Sequence, residues 1–150
     1  RDTSQTWMPQ NYQEINFTGI EGGVSFTTDY LGRTLSVSWD FNTMQNTILV
    51  EDGWESKVNL NFVRVQSIVN ANLEIWNNLF LNATWRSINR QQSSNTYSLF
   101  DVKISYQNSF LKRDYMFYIN STNITNTQFE EINFIPISPL GIFIGAKFSI

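Results

Sequence analysis

Apolar and polar residues alternate along most of this chain. Between Thr34 and Asn42 every odd-numbered residue is apolar and every even-numbered residue is polar. Successive side chains of a strand point to opposite faces of a sheet, so this alternation predicts a strand with one apolar face. The alternating runs are Val24 to Tyr30, Thr34 to Asn42, Val65 to Trp76, Leu79 to Arg86, Tyr97 to Tyr106, Asp114 to Thr122 and Gly141 to Ile150. None has a helical period of 3.6, and the pattern predicts an all-β fold. Gly22-Gly23, just before the first run, is predicted to mark a bend or bulge.

The connections between these runs alternate between short and long. The short ones are Leu31-Gly32, Asn77-Asn78 and Asn108 to Lys112, and the long ones are 43–61, 87–96 and 123–140. In an outer-membrane barrel the short turns lie at the periplasmic end and the longer loops lie outside. The spacing therefore predicts antiparallel, up-and-down transmembrane strands.

The strand count comes to seven when Lys57 to Phe62 is assigned to a loop. Counting that segment as an extra crossing would break the alternation of connections. An eighth strand around Gln13 to Thr18 is the alternative at the other end of the chain. Because bacterial single-chain barrels have an even number of strands, we expect the strand that closes the wall to lie outside these residues.

Composition argues against several classes of function. The chain has 10 Lys and Arg against 13 Asp and Glu, a net charge of −3, and its basic residues are scattered, so no nucleic-acid surface is expected. It contains no Cys and no His, which removes thiolate and imidazole ligands and the commonest general base. The carboxylate pairs Glu51-Asp52 and Glu130-Glu131 have no partner base or metal-ligand spacing. We therefore expect no enzyme activity, no metal and no cofactor.

Hydropathy gives no indication of a transmembrane helix. The mean hydropathy is −0.27, and no run approaches the roughly 20 apolar residues that such a helix needs. A barrel strand carries a weaker signal because half of its residues face the polar interior.

Two groups of apolar residues fit a barrel in the outer membrane of a Gram-negative bacterium. Tyr30, Trp76, Tyr106 and Tyr115 flank the short turns, where we expect an interfacial aromatic girdle. The final run places Ile144, Ala146, Phe148 and Ile150 on one face, which resembles the C-terminal signal for barrel insertion. That signal usually ends in an aromatic residue, whereas this chain ends in isoleucine.

Several segments resemble the C-terminal part of TonB-dependent outer-membrane receptors, a family of plugged 22-stranded barrels. The most specific is Asn120 to Glu130, which is similar to the asparagine-rich turn after the family's penultimate strand. Trp54-Glu-Ser-Lys57 is closest to receptors of the cobalamin type. The other segments are Gly19 to Gly22, Val63-Arg64, Asn78 to Arg86, Tyr97 to Asp101 and Pro136 to Gly141.

The resemblance implies that residues 1–150 are the C-terminal segment of such a barrel, without a plug domain. It implies energised import of a scarce nutrient such as a metal chelate, cobalamin or a glycan. The implied partners are outer-membrane lipid, the rest of the barrel with its plug, a TonB-type energising complex reached through the N-terminal part, and a surface lipoprotein. The lumen-facing candidates for polar contacts are Asp40, Glu74, Arg86, Asp101 and Lys103.

Two alternatives stay open at this level. A complete eight-stranded outer-membrane protein occurs at about this length. A soluble β-calyx that binds a small apolar ligand has the same alternation with the apolar face turned inward. Periodicity alone does not say which face points outward.

Overall fold

The computed structural model describes residues 14–49, 62–90, 96–110, 113–128, 130–132, 135–136 and 139–149. These ranges form strands and connections and contain no helix. The strands are β1 (Glu14–Tyr30), β2 (Arg33–Leu49), β3 (Val63–Trp76), β4 (Leu79–Arg90), β5 (Tyr97–Phe110), β6 (Arg113–Thr122), β7 (Glu130–Ile132), β8 (Ile135–Pro136) and β9 (Gly141–Phe148). No helix in the described part of the chain is long and apolar enough to cross a membrane.

Seven of the strands form one antiparallel sheet in the order β1-β2-β3-β4-β5-β6-β9. Each strand pairs with the previous strand along the chain, except that β9 reaches β6 after the small β7–β8 hairpin. The prediction of seven up-and-down strands is confirmed. Strands β1 and β9 form the two edges of the described sheet, which is open.

Residues that tolerate a left-handed backbone close two of the short turns. Leu31 and Gly32 have φ values of 52° and 73°, as a two-residue hairpin with a type I′ turn requires. Asn78 has a φ of 67°, and asparagine adopts this conformation more readily than most residues. We call the end of the sheet that carries these hairpins the turn end, and the opposite end the loop end.

The strands are longer than the alternating runs predict. Residues 14–18 of the segment Gln13 to Thr18 are part of β1 rather than of a separate strand, and Gln13 lies outside the described residues. β2 continues to Leu49 and β4 to Arg90, through residues that were assigned to loops. The predicted turn from Asn108 to Lys112 is also wrong in part, because Phe110 pairs with Arg113.

Two further predictions concern the connections. The β7–β8 hairpin lies within the predicted loop 123–140, where the sequence indicated no strand. Lys57 to Phe62, the segment assigned to a loop, lies outside the described residues except for Phe62, which is not in a strand.

Candidate membrane-facing surface and inner polar face

The sheet has two faces of opposite character. We call them the Trp85 face and the Arg86 face, because these consecutive residues of β4 lie on opposite sides. The strand register places the following apolar residues on the Trp85 face: Val24, Phe26, Tyr30, Leu35, Val37, Trp39, Phe41, Val69, Ala71, Leu73, Trp76, Leu79, Leu81, Ala83, Trp85, Phe100, Val102, Ile104, Tyr106, Tyr115, Phe117, Ile119, Ile142, Ile144, Ala146 and Phe148. This set, called the apolar band, extends across all seven strands.

Most of the large side chains in the apolar band are exposed. Trp39, Ile104 and Phe117 are all among the exposed large hydrophobic residues, and Ile144 is 81 % exposed. No second layer covers the band within the described part of the chain. Exposed apolar patches of this extent mark surfaces that contact a membrane or another molecule.

The apolar band is shorter than the strands that carry it. On β4 the band runs from Leu79 to Trp85, which at about 3.4 Å per residue spans about 20 Å along the strand. The strand itself continues beyond Trp85 to Arg90. The band therefore ends well before the strands do.

Above the apolar band, toward the loop end, the two faces exchange character. The Trp85 face becomes polar there, with Ile20 and Val65 as apolar exceptions. Its polar positions are Asn16, Thr18, Thr43, Gln45, Thr47, Ser67, Ser87, Asn89 and Ser98. The Arg86 face becomes apolar at the same level, where Ile88, Tyr97 and Leu99 form a buried cluster with Val63 packed against it.

This exchange is unusual for a sheet with one uniform environment on each side. All apolar residues that are buried in the described ranges, Phe62 and the three of this cluster, lie at the loop end. There the Trp85 face is polar and the buried side chains of the Arg86 face are apolar. In the apolar band the pattern is reversed, because the exposed side chains of the Trp85 face are apolar.

The aromatic girdle candidates lie on the Trp85 face at the turn end. Tyr30 and Trp76 flank their turns directly and are more than half exposed, and the guanidinium of Arg33 lies 5.7 Å from the Trp76 ring centroid. Tyr106 and Tyr115 have ring centroids 6.4 Å apart. Because β5 continues beyond Tyr106 to Phe110, Tyr106 does not flank the β5–β6 turn. It lies beside the Asn77-Asn78 turn, where the Gln107 N–H donates to the Asn78 carbonyl.

The five lumen-facing candidates all lie on the Arg86 face. The strand register places Asp40, Glu74, Arg86, Asp101 and Lys103 on this one side. They do not form one cluster, because Ile68 of β3 lies between Asp40 and Arg86 in the strand register and Glu74 lies further toward the turn end. The described residues contain no group of three or more acidic residues that could hold a metal ion.

Amide and hydroxyl side chains connect the strands across the Arg86 face. Asn70 donates to Ser38 at 3.4 Å and accepts from Thr84 at 2.9 Å, which links three strands. Asn82 donates to Asn72 at 2.6 Å in the neighbouring row. These bonds satisfy polar groups that point away from the apolar band, and they hold the face together without a hydrophobic core.

Arg86 and Asp101 form the main charged contact of this face. The Arg86 Nη2 lies 2.6 Å from Asp101 Oδ2. The other carboxylate oxygen, Asp101 Oδ1, accepts the backbone N–H of Asn123 at 2.8 Å. The structure thus brings two of the five candidates together, and their bonds are made to each other and to the backbone.

The Arg86 face is also the more buried of the two in the centre of the sheet. On β5, Ser105 is 6 % exposed, whereas its neighbour Ile104 on the Trp85 face is 43 % exposed. Lys103 Nζ lies 4.9 Å from the ring centroid of Tyr118, on the same side. Greater burial of polar side chains is expected if this face is the concave one.

The last strand packs along β6 with its apolar side exposed. Ile144 pairs with Ile119, Ala146 with Phe117 and Phe148 with Tyr115, so the predicted insertion residues continue the apolar band. Ile150, the fourth of these residues, lies outside the described residues.

Glycines make room for large neighbours in ways that the sequence did not indicate. A Cβ at Gly145 would overlap the Tyr118 ring, which lies over this glycine on the Arg86 face. Gly22 and Gly23, predicted to mark a bend or bulge, are paired regularly within β1, so that prediction is wrong. A Cβ at Gly22 would lie 2.8 Å from the Phe41 ring, and Gly23 lies against the Asp40 carboxylate.

Comparison of this chain with protein-family models, with curated proteins and with solved structures finds no match.

Proposed function

We propose that this chain forms part of the wall of an outer-membrane β-barrel, and that the barrel belongs to a TonB-dependent transporter. In this proposal the Trp85 face contacts lipid and the Arg86 face lines the lumen. The turn end is periplasmic and the loop end is external. Outer-membrane lipid, the rest of the barrel, a plug domain and a TonB-type complex are the proposed partners, and a surface lipoprotein is a further one.

The exchange of polarity between the two faces is the observation that carries the membrane part of this proposal. A soluble sheet is expected to keep the same face toward its core along the whole strand. Here the Trp85 face is apolar for about 20 Å and then polar, while the Arg86 face changes in the opposite sense. A hydrocarbon layer of finite thickness outside the sheet accounts for both changes.

The same observation disfavours the soluble calyx. A calyx needs its apolar face on the concave, buried side. The apolar face of this sheet is instead the more exposed one, and Ile104 and Ser105 illustrate the difference. The eight-stranded barrel needs one further strand, and the β1 segment that was to supply it is continuous from Glu14 to Tyr30.

The transport part of the proposal is supported by the resemblance of Asn120 to Glu130 to the family's asparagine-rich turn. In this segment Asn123 and Asn126 both have φ values of 51°, a backbone conformation that asparagine adopts readily. Asn123 also bonds both backbone groups of Thr127 through its side chain. The asparagines thus have defined structural roles at this turn.

Lipid contact can be tested with the natural protein, purified from its membrane and reconstituted in vesicles of brominated phospholipid. Bromine quenches tryptophan fluorescence on contact, and Trp39 and Trp85 both lie in the apolar band. Trp85→Phe removes the emission of one tryptophan. We expect the bromine-quenched part of the parent protein's fluorescence to decrease in this variant, and the unquenched part to stay the same. Loss of an unquenched component would contradict lipid contact.

Transport can be tested separately by uptake in cells that carry the intact gene. We expect uptake of one scarce nutrient, out of a panel of metal chelates, cobalamin and glycans, to require both this gene and the TonB-type energising complex. Growth and uptake that are independent of that complex would contradict TonB dependence, while the lipid-contact result would stand.

A further inference from the structure

The carboxylate of Asp101 joins two parts of the sheet that are distant in sequence. Its Oδ2 accepts from Arg86 on β4, and its Oδ1 accepts from the Asn123 N–H, directly after β6. The N–H of the following residue, Ile124, donates to the Phe100 carbonyl at 2.8 Å. Asp101 therefore holds the first residue after β6 against the wall formed by β4 and β5.

Asn123 carries this contact into the turn that follows. It is 5 % exposed, and its side-chain amide makes two bonds with the backbone of Thr127. Asn123 Nδ2 donates to the Thr127 carbonyl at 3.0 Å, and Asn123 Oδ1 accepts the Thr127 N–H at 2.9 Å. The side chain thus replaces a pair of backbone bonds and closes the turn.

Asn126 links the turn to the start of β9. Its N–H donates to the Asn123 carbonyl at 2.8 Å, and its Oδ1 accepts the Leu140 N–H at 3.3 Å. Leu140 directly precedes β9, which begins at Gly141. A chain of contacts therefore runs from Arg86 through Asp101, Asn123 and Asn126 to the last strand.

We propose that Asp101 is a positioning residue, which sets the place of the Asn123–Thr127 turn at the loop end. Asp101 and Arg86 were candidates for direct ligand contact, but both carboxylate oxygens of Asp101 accept bonds from the protein itself. In the transporter of the proposed function, on which this consequence rests, Asp101 affects ligand capture by holding the turn rather than by touching the ligand.

Hydrogen exchange of the peptide spanning 120–128 measures the position of the turn directly. In the natural protein in vesicles, we expect Asp101→Ala to accelerate exchange there about tenfold or more, because a charge-assisted bond to a buried N–H is lost. Asp101→Asn should accelerate it only a few fold, since its amide oxygen can still accept the Asn123 N–H. Exchange within twofold of the parent in both variants would overturn the proposal.

Asp40→Ala is the matched control. Asp40 is also a carboxylate on the Arg86 face, but it lies on β2 against Gly23 and far from the turn. We expect exchange in 120–128 to be unchanged in this variant. Acceleration equal to that of Asp101→Ala would mean that any lost carboxylate loosens the sheet, and it would overturn the specific role of Asp101.

A charge exchange separates positioning from general stability. The double variant Arg86→Asp with Asp101→Arg restores an ion pair between β4 and β5 but offers no acceptor to Asn123 at position 101. We expect the resistance of the sheet to heat in detergent to recover while exchange in 120–128 stays fast. Recovery of both would show that the ion pair alone is responsible and would overturn the proposal.

Uptake kinetics complete the test and distinguish its failure from that of the proposed function. With the turn released by Asp101→Ala, we expect the concentration for half-maximal uptake to rise several fold at an unchanged maximal rate, and Asp101→Glu to restore part of the affinity. Fast exchange with unchanged affinity would overturn the role in ligand capture. Absence of TonB-dependent uptake by the parent protein would instead count against the proposed function and leave the exchange result valid.

Discussion

The apolar band and the loop end of the same sheet follow opposite rules. On β4 and β5, the band ends at Trp85 and Phe100 on the Trp85 face, and directly beyond them toward the loop end the Arg86 face has the buried residues Ile88 and Leu99. The backbone pairing is continuous through this boundary. In the proposed barrel, the difference comes from the surroundings of the sheet, hydrocarbon beside the band and water beside the loop end, and the change of pattern marks where the proposed membrane ends.

A charge introduced in the centre of the apolar band is expected to lower the free energy of unfolding more than any other substitution considered. Val102 pairs with Ala83 in the middle of the band. Val102→Arg should lower the free energy of unfolding in vesicles by about 3 kcal/mol, because a guanidinium at mid-depth is costly in hydrocarbon.

Ser98→Arg is the matched control for that substitution. Ser98 lies on the same face of the same strand, but above the band. We expect it to cost no more than about 1 kcal/mol, as substitutions near the interface do. Equal costs at the two positions would remove the distinction between the band and the loop end.

Shortening an apolar side chain should destabilise the protein more at the loop end than in the apolar band, the reverse of the order expected for an added charge. Leu99 is buried at the loop end, whereas Ile104 is exposed in the band. Leu99→Ala should cost about 2 kcal/mol through the cavity it leaves, and Ile104→Ala under about 1 kcal/mol, because lipid chains fill the space. Equilibrium unfolding in urea measures both, and a larger loss for Ile104→Ala would contradict the assignment of a protein core to the loop end.

The smallest of these effects concerns the inner side of the band, where Tyr118 lies over Gly145. Gly145→Ala should cost about 1 kcal/mol, because its methyl group displaces the ring. In a Tyr118→Ala background the same substitution should cost nothing, which a double-mutant cycle would reveal. Additive costs would mean that the position of the Tyr118 ring does not depend on the absence of a side chain at Gly145.

The sequence predicted the strands of the sheet better than their ends, and the polarity exchange explains why. On β4 every odd-numbered residue from Leu79 to Trp85 is apolar, and the next apolar residue along the strand, Ile88, is even-numbered. A search for one uninterrupted alternation stops at this change of phase, although the backbone pairing continues to Arg90. The predicted strand therefore ends at Arg86, four residues before the end of β4.

Turn-forming residues misled the prediction at two further places. Asn108 and Ser109 suggested a turn, but Asn108 donates to the Tyr106 hydroxyl and Ser109 contacts Asp114, so both stabilise the hairpin as strand residues. Gly22 and Gly23 suggested a bulge, because the large side chains that need their space lie on β2 and are distant in sequence.

The candidate residues on the Arg86 face were predicted as a group but not as contacts. Alternation alone places Asp101 and Arg86 on one face, since each occupies a polar position of its strand. It does not reveal that Asp101 bonds the Asn123 N–H, because that contact depends on how the chain turns after β6. Sequence patterns report which side a residue faces, while tertiary geometry determines what it bonds.

The depth at which lipid contact ends on β4 tests the central claim most directly. The chain contains no Cys, so single cysteines at positions 81, 83, 85, 87 and 89 can be spin-labelled if the rest of the natural protein is also made cysteine-free. Accessibility to oxygen and to a water-soluble nickel complex then reports lipid or water at each site. We predict lipid contact at 81, 83 and 85 and water contact at 87 and 89. Equal water accessibility at all five positions would contradict the account.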